Sequence, residues 1–307
     1  MSLPENYPSF DSLPVDQNGP RGNAWGLWGP EDQLGTLNLL TDDVVQRAAA
    51  ENIKTGKRVS LNWSMTAASH PRLPRKPLEL RLINKAPLKY AHDDEWTFNS
   101  QCSSQWDGFR HYAYQKEQRY YMGRTAEDFA ASPIPKGIQH VSKQGIAGRA
   151  VLIDWYAWAQ SQNKSIDATS AHEIPFAELL STLKYQNMDP TSTFRRGDIL
   201  VIRSGYIAQY TKMPDSKRAA LNETYRTQKP ANVGVKPSKE LLRFLWDTGS
   251  RLCLLAGWGM PIGELFDLEV LAGVCEELGR YTFLLASEPV NVVPGVVASP
   301  PNALAFF

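Results

Sequence analysis

The chain has 307 residues, and 33 Lys plus Arg nearly cancel 32 Asp plus Glu to leave a formal net charge of +1. That balance excludes a protein built chiefly to hold nucleic acid or an anionic membrane surface. Hydrophobic residues at 42% and charged residues at 21% are ordinary for a folded globular chain. Three scattered Cys and five scattered His (His70, His92, His111, His140, His172) make neither a disulfide framework nor a histidine-rich metal cluster. The cysteines read as free thiols in a reduced, cytoplasmic protein.

Met1 to Asp16 has no basic start and no apolar core, so it is not read as a signal peptide. Residues 1–37 are rich in Pro, Gly, Asn and Trp without periodicity and read as an irregular N-terminal arm. No repeat or low-complexity linker follows, so residues 38–307 read as a single domain. Thr41 is placed to cap a helix ending near Asn52, with Asp42 and Asp43 favouring its first turn. Val59, Leu61, Trp63 and Met65 alternate with polar residues, which predicts a half-buried strand. Residues 71–89 gather Arg72, Arg75, Lys76, Arg81, Lys85 and Lys89 against Glu79, a solvated basic face or a substrate rim.

Further on, Arg149 to Asp154 predicts a buried strand, followed by an aromatic helix through Trp155 and Trp158. Pro175 opens a helix to Gln186. Gly197 to Gly205 (GDILVIRSG) predicts a second strong strand. Ser238 caps a helix to Thr248 that turns Leu241, Leu242, Leu245 and Trp246 inward. Leu252 to Ala256 predicts a strand, Asp267 to Leu278 a helix closed by Gly279, and Tyr281 to Ala286 a strand. Pro289 to Phe307 is uncharged, but its four prolines exclude a membrane-spanning helix; it reads as a buried extended tail. Strands alternating with helices after residue 149 give an α/β protein around a central sheet.

Asn99 to Tyr112 (NSQCSSQWDGFRHY) collects polar residues without helical periodicity. Gln101, Ser103, Gln105, Asp107, Phe109 and His111 occupy alternate positions, so an extended segment would project all six from one face. Asp107 could orient His111, or join the glutamine carbonyls around a cation. His111 has an ordinary pKa near 6.5, suited to moving a proton at neutral pH. A polar edge strand with a surface histidine accounts for the same spacing. Trp25, Trp28, Trp106 and Trp258 could wall an apolar pocket or simply be core. Gly257 to Gly263 (GWGMPIG) lacks the context of a nucleotide loop, and no G-x-S-x-G elbow is present. Cys102 falls on the opposite face of the extended segment and reads as a bystander.

The same segment resembles the signature of the cyclase family, which includes bacterial kynurenine formamidases and isatin hydrolases. That pattern, H-x-x-x-H-x-D-x-P-x-H, falls on Gln101, Gln105, Asp107, Phe109 and His111. Trp28 to Thr41, Ser103 to His111, Gly145 to Asp154, Gly197 to Gly205, Gly257 to Leu268 and Ala298 to Ala303 all resemble the fungal branch. The resemblance implies a mixed sheet partly closed into a barrel, with helices outside. It also implies a homodimer or larger oligomer that acts on a small molecule rather than nucleic acid or membrane.

The departures lie in the metal-ligand set. The first two ligand histidines of the family correspond to Gln101 and Gln105, while Asp107 and His111 match and Glu264 corresponds to a later glutamate. A further family histidine falls at Arg251 or Leu252, beside an apparent shortening at Gly249 and Ser250. Amide oxygens hold zinc poorly, so no tightly bound transition metal is expected; Gln101, Gln105 and Asp107 could hold Mn²⁺ or Mg²⁺ weakly at most. The glutamine amides can instead donate to a substrate carbonyl or enolate while Asp107 and His111 move protons. Trp28, Trp106, Trp258, Gln101 and Glu264 are the expected substrate contacts. The expected activity is ring closure, dehydration or isomerisation of a small carbonyl-containing aromatic or polyketide-derived molecule in fungal specialised metabolism. Metal-dependent hydrolysis of an amide, lactam or lactone is the alternative, and a non-catalytic binding or subunit-like role is the third.

Overall fold

The structure, a computed structural model, describes residues 7–68, 75–132, 136–228, 231–248, 255–290 and 294–307. The strands are β1 (Arg58–Ser60), β2 (Glu79–Asn84), β3 (His92–Thr97), β4 (Gln105–Asp107), β5 (Ile146–Ile153), β6 (Glu173–Ile174), β7 (Ile199–Ile202), β8 (Gly234–Val235), β9 (Ile262–Glu264), β10 (Thr282–Ser287), β11 (Ala298–Ser299) and β12 (Ala303–Phe306). The α-helices are α1 (Asp42–Asn52), α2 (Ala126–Ala131), α3 (Gln139–Gln144), α4 (Trp155–Ser161), α5 (Phe176–Tyr185), α6 (Tyr206–Lys212), α7 (Asp215–Thr227), α8 (Lys239–Thr248), α9 (Leu255–Trp258) and α10 (Glu269–Leu278).

A five-stranded sheet in the order β1-β12-β10-β5-β7 forms the centre. Its strands pair antiparallel except β5 and β7, which run parallel with Ala150 opposite Ile199. Parallel neighbours need a crossover, and α4 and α5 supply it. Ala150, Val151, Leu152 and Ile153 are all buried, as a strand covered on both faces requires. On one side Leu61, Ile146, Leu152, Phe283, Leu285 and Phe307 pack with Leu271 and Cys275 of α10. On the other, Ile153, Trp155, Leu179, Leu183, Leu245 and Trp246 form a second cluster that receives Tyr7, Phe10 and Leu13.

Residues from the N-terminal arm are stitched into this body. The Ala24 amide donates to the Gly257 carbonyl at 2.9 Å, and Trp25 Nε1 donates to the Ala256 carbonyl at 2.7 Å. Gly35, at φ +56°, passes so close to Gly259 that a Cβ there would lie 1.8 Å from the Gly259 carbonyl oxygen. Only glycine fits that crossing.

The expected barrel is not present: among the described residues no sheet closes on itself. β1 is only three residues long and pairs on one side alone. The strand expected over residues 59–65 is cut short because hydroxyls replace the ladder. The Trp63 amide donates to Ser104 Oγ at 3.1 Å, while Ser103 Oγ donates to the Trp63 and Ser64 carbonyls. β4, β9 and β11 then form a separate three-stranded sheet.

Other expectations resolve individually. Ser238 Oγ accepts from the Leu241 amide at 3.1 Å, and Gly279 ends α10 at φ +57°. Thr41 occupies the N-cap of α1 without a side-chain bond. The strand expected at Leu252 to Ala256 is a helix where it is described, at Leu255 and Ala256 in α9. Gly249, Ser250, Arg251 and Leu252, the site of the apparent shortening, lie outside the described residues, as does Arg72. No described helix is long and apolar enough to cross a membrane.

Candidate active site

β4 is the middle strand of the small sheet, with β9 on one side and β11 on the other. The register sets Gln105 opposite Glu264 and Asp107 opposite both Ile262 and Ala298. Strand alternation puts Gln105 and Asp107 on one face and Trp106 on the other. Gln105 is fully buried, Asp107 is 2% exposed and Gln101 5%.

These side chains form a continuous hydrogen-bonded chain. Gln105 Nε2 donates to Glu264 Oε2 at 3.0 Å and to Gln101 Oε1 at 3.1 Å. Gln101 Nε2 donates in turn to Asp107 Oδ1. His111 Nε2 stands 3.8 Å from Asp107 Oδ2, and its side chain is partly exposed. Gln105 Oε1 is buried without a hydrogen-bond partner among the described residues.

The segment is not extended throughout, so the expected six-residue face is only partly realised. Bends precede β4 and a turn follows it, with the His111 amide donating to the Gly108 carbonyl at 2.9 Å. Ser103 is spent on the Trp63 and Ser64 carbonyls. Phe109 leaves the polar group to pack on Tyr121, ring centroids 4.8 Å apart. Gln101, Gln105, Asp107 and His111 still converge because the bends fold back on the strand.

Two electrostatic consequences follow. Burial, reinforced by the charge of Glu264, pushes the Asp107 carboxyl from 3.8 up to about 7, against the Gln101 hydrogen bond and the Arg75 charge. Burial also holds His111 below its ordinary 6.5, with Glu264 opposing and Arg75 assisting. Asp107 is therefore the group that keeps a proton near neutrality, and His111 is the uncharged imidazole beside it.

Beside the small sheet lies a cavity of about 290 Å³, lined by Trp106 of β4 and by Ile262, Gly263 and Glu264 of β9. Trp106, Phe266, Leu61, Ile199 and Leu285 contribute apolar wall, and Glu264, Arg203 and Glu269 contribute charge. Trp106 is fixed by its Nε1 donating to Ser287 Oγ at 2.8 Å and by an edge contact with Phe266 at 5.2 Å. A Cβ on Gly263 would meet Phe266 Cε2 at 2.3 Å and Trp106 Cζ3 at 2.9 Å, so this wall closes only over glycine.

A much smaller recess, about 10 Å³, is lined by Gln101, Arg75 and Cys102 and shares Tyr206 and Leu265 with the cavity. Leu265 adopts a φ of +56°, an uncommon conformation for a branched side chain, at this common wall. Cys102 is buried.

Among the expected substrate contacts, Trp106 and Glu264 reach the cavity and Gln101 the recess. Trp28 and Trp258 line neither. Trp258 packs edge-on against Trp246 at 4.9 Å and donates to the Gly22 carbonyl; Trp28 lies against Tyr7 at 6.3 Å. Both belong with the N-terminal packing.

Arg203, Glu269 and Asp154 were not singled out from sequence. Arg203 Nη1 donates to both Asp154 oxygens at 3.0 and 3.1 Å, and its Nε donates to Glu269 Oε1 at 3.1 Å. The signal was there: Arg203 ends the apolar run ILVI, where a charge must find partners.

The divalent metal implied by the resemblance does not fit these residues. Gln101 Oε1 and Glu264 Oε2 accept from the Gln105 amide, and Asp107 Oδ1 accepts from Gln101. Those three oxygens are spent within the hydrogen-bonded chain, and the unpartnered buried oxygen, Gln105 Oε1, belongs to a neutral amide, a weak donor to a transition metal. Among the described residues no three His, Cys, Asp or Glu are grouped to hold a metal ion.

The Cyclase family model, described as "Putative cyclase", matches residues 32–260, about three quarters of the chain. The chain belongs to this family. A solved structure described as a novel cyclase is 26% identical, with a TM-score of 0.77 over 93% of this chain and 99% of its own. Isatin hydrolase A from Labrenzia aggregata, solved bound to benzyl benzoate, is 14% identical with a TM-score of 0.55 over 88% and 98% of the two chains. Isatin hydrolase A from Ralstonia solanacearum is 11% identical with a TM-score of 0.54 over 81% and 91%. The two hydrolases share the fold. A search of the curated proteins finds no match.

Proposed function

We propose that this cyclase-family chain is a proton-transfer enzyme that closes, dehydrates or isomerises a small carbonyl-containing aromatic molecule. The observation that carries the reading is the hydrogen-bonded chain Glu264–Gln105–Gln101–Asp107, with Glu264 on the cavity and Asp107 buried behind it. Two carboxylates held in unlike environments divide into a base and an acid. Glu264 is the base that meets the substrate. Gln105 orients Glu264, and Gln101 joins that pair to Asp107. Asp107 holds the compensating proton, and His111, 3.8 Å away and partly exposed, exchanges it with solvent. An acid and a base so placed contribute about 10²–10⁴ in rate.

The test needs no natural substrate. Exchange of the hydrogens beside the carbonyl of 2-tetralone and related bicyclic ketones in D₂O is followed by NMR. Wild type is expected to exchange them well above the buffer rate, and Asp107→Asn and Glu264→Gln to fall by about 100-fold or more. Exchange at the buffer rate across the panel overturns the reading. Isatin opening that depends on added Mn²⁺ would then point to the hydrolase, and binding without conversion to the non-catalytic role.

A further inference from the structure

We propose that Leu265 is a specificity-determining partition: it ends the cavity at Glu264 and keeps whatever binds there from reaching Gln101 and Cys102 behind it. The proposal rests on the proposed function only in taking this cavity as the substrate site.

Position comes first. The cavity and the small recess have two lining residues in common, Tyr206 and Leu265. On one side of that pair lies Glu264, and on the other lie Gln101, Arg75 and Cys102. Within the hydrogen-bonded chain Glu264–Gln105–Gln101–Asp107, Glu264 lines the cavity and Gln101 the recess. Tyr206 is built into α6, stacked on Tyr210 at 5.6 Å and 7% exposed. Leu265 follows β9 directly and rests against the same aromatic cluster of Trp63, Tyr206 and Tyr210. It is therefore the side chain whose loss would join the two spaces while leaving α6 in place.

The backbone points to the same residue. Leu265 has a φ of +56°, a region that side chains other than glycine seldom enter. Such a conformation persists only where the surroundings impose it. Here they do so from both sides. Glu264 is paired opposite Gln105. Beyond the turn, Phe266 meets Trp106 edge-on at 5.2 Å, and the Asp267 amide donates to the Leu61 carbonyl at 2.9 Å. Glycine would make this turn without strain. What leucine adds is a side chain in the wall between cavity and recess. A molecule seated in the cavity then meets the network at Glu264 and stops short of Gln101.

Cys102 reports whether the partition holds. It is 2% exposed in the recess, and Cys275, fully buried in the core beneath α10, serves as the internal control. The full chain is treated with iodoacetamide at pH 8, and alkylation of each cysteine is followed by peptide mass spectrometry. Both thiols are expected to react slowly in wild type. Leu265→Gly removes the strain with the side chain, and should speed Cys102 about tenfold or more while Cys275 stays slow. Leu265→Met keeps the bulk and should behave as wild type. A polyethylene glycol-linked iodoacetamide, too large for the cavity, should stay slow at Cys102 throughout.

The proposal is overturned if Cys102 already reacts freely in wild type, or is no faster in Leu265→Gly. It is equally overturned if the large reagent gains as much as the small one, since the opening would then lead to bulk solvent. Acceleration of Cys275 alongside Cys102 in both Leu265→Gly and Leu265→Ala would show a residue that holds the fold together and divides nothing. Turnover plays no part in this readout. Ketone exchange at the buffer rate with the expected cysteine pattern sinks the proton-transfer reading alone; an unmoved Cys102 with exchange intact sinks this proposal alone.

Discussion

Asp107 concentrates the consequences of the site in a single carboxyl. In the unfolded chain it releases its proton near 3.8, whereas in the folded protein it keeps the proton up to about 7. The folded state binds the extra proton between those values, so its contribution to stability is greatest below about pH 4 and is lost as pH rises through about 7. Asp107→Asn keeps an acceptor for Gln101 and removes the charge. Urea melts at pH 5 and pH 8 are expected to show a smaller loss for the variant, the difference being on the order of a few kcal/mol. The same proton governs activity. Ketone exchange should fall as pH rises through about 7 and Asp107 ionises; an alkaline limb unchanged in position after Asp107→Asn would sink that assignment. Gln101, Gln105, Asp107 and His111 were legible because they lie within eleven residues of sequence. Arg203 was not, since Asp154 and Glu269 are 49 and 66 positions away and only folding brings them to it.

Elements were legible where burial was uniform and illegible where it was not. β5, β7 and β10 announce themselves as apolar runs because both sheet faces are covered. Their core is well filled: Phe283 is fully buried and meets Phe307 at 5.5 Å. Phe283→Ala is expected to cost about 3–5 kcal/mol in a urea melt, and a loss under 1 would mean the cluster relaxes around the cavity. The hairpin of β2 and β3 escaped because it is exposed along nearly its whole length and shows no inward face, with Leu80, Leu82 and Trp96 all more than 60% exposed. α9 was mistaken for a strand because a four-residue apolar run carries no period to separate the two.

At the scale of the whole molecule, one ion cluster ties the parallel edge to its covering helices. Arg203 follows β7, Asp154 caps α4 and Glu269 opens α10. Arg203→Met would strand the buried Asp154 carboxylate. A loss of about 3–5 kcal/mol is expected, read by denaturant melt. Near-wild-type stability would show the cluster to be replaceable. The amino-acid sequence by itself determined the α/β class, the main strands and helices after residue 149 and the polar segment around Asp107, because local periodicity and spacing encode them. Tertiary structure decided that the sheet stays open and that Trp28 and Trp258 line neither the cavity nor the recess. It also decided that Glu264, not His111, faces the larger cavity. Those outcomes depend on contacts between residues far apart in sequence: hydroxyls that interrupt a ladder, and a register that sets Gln105 opposite Glu264.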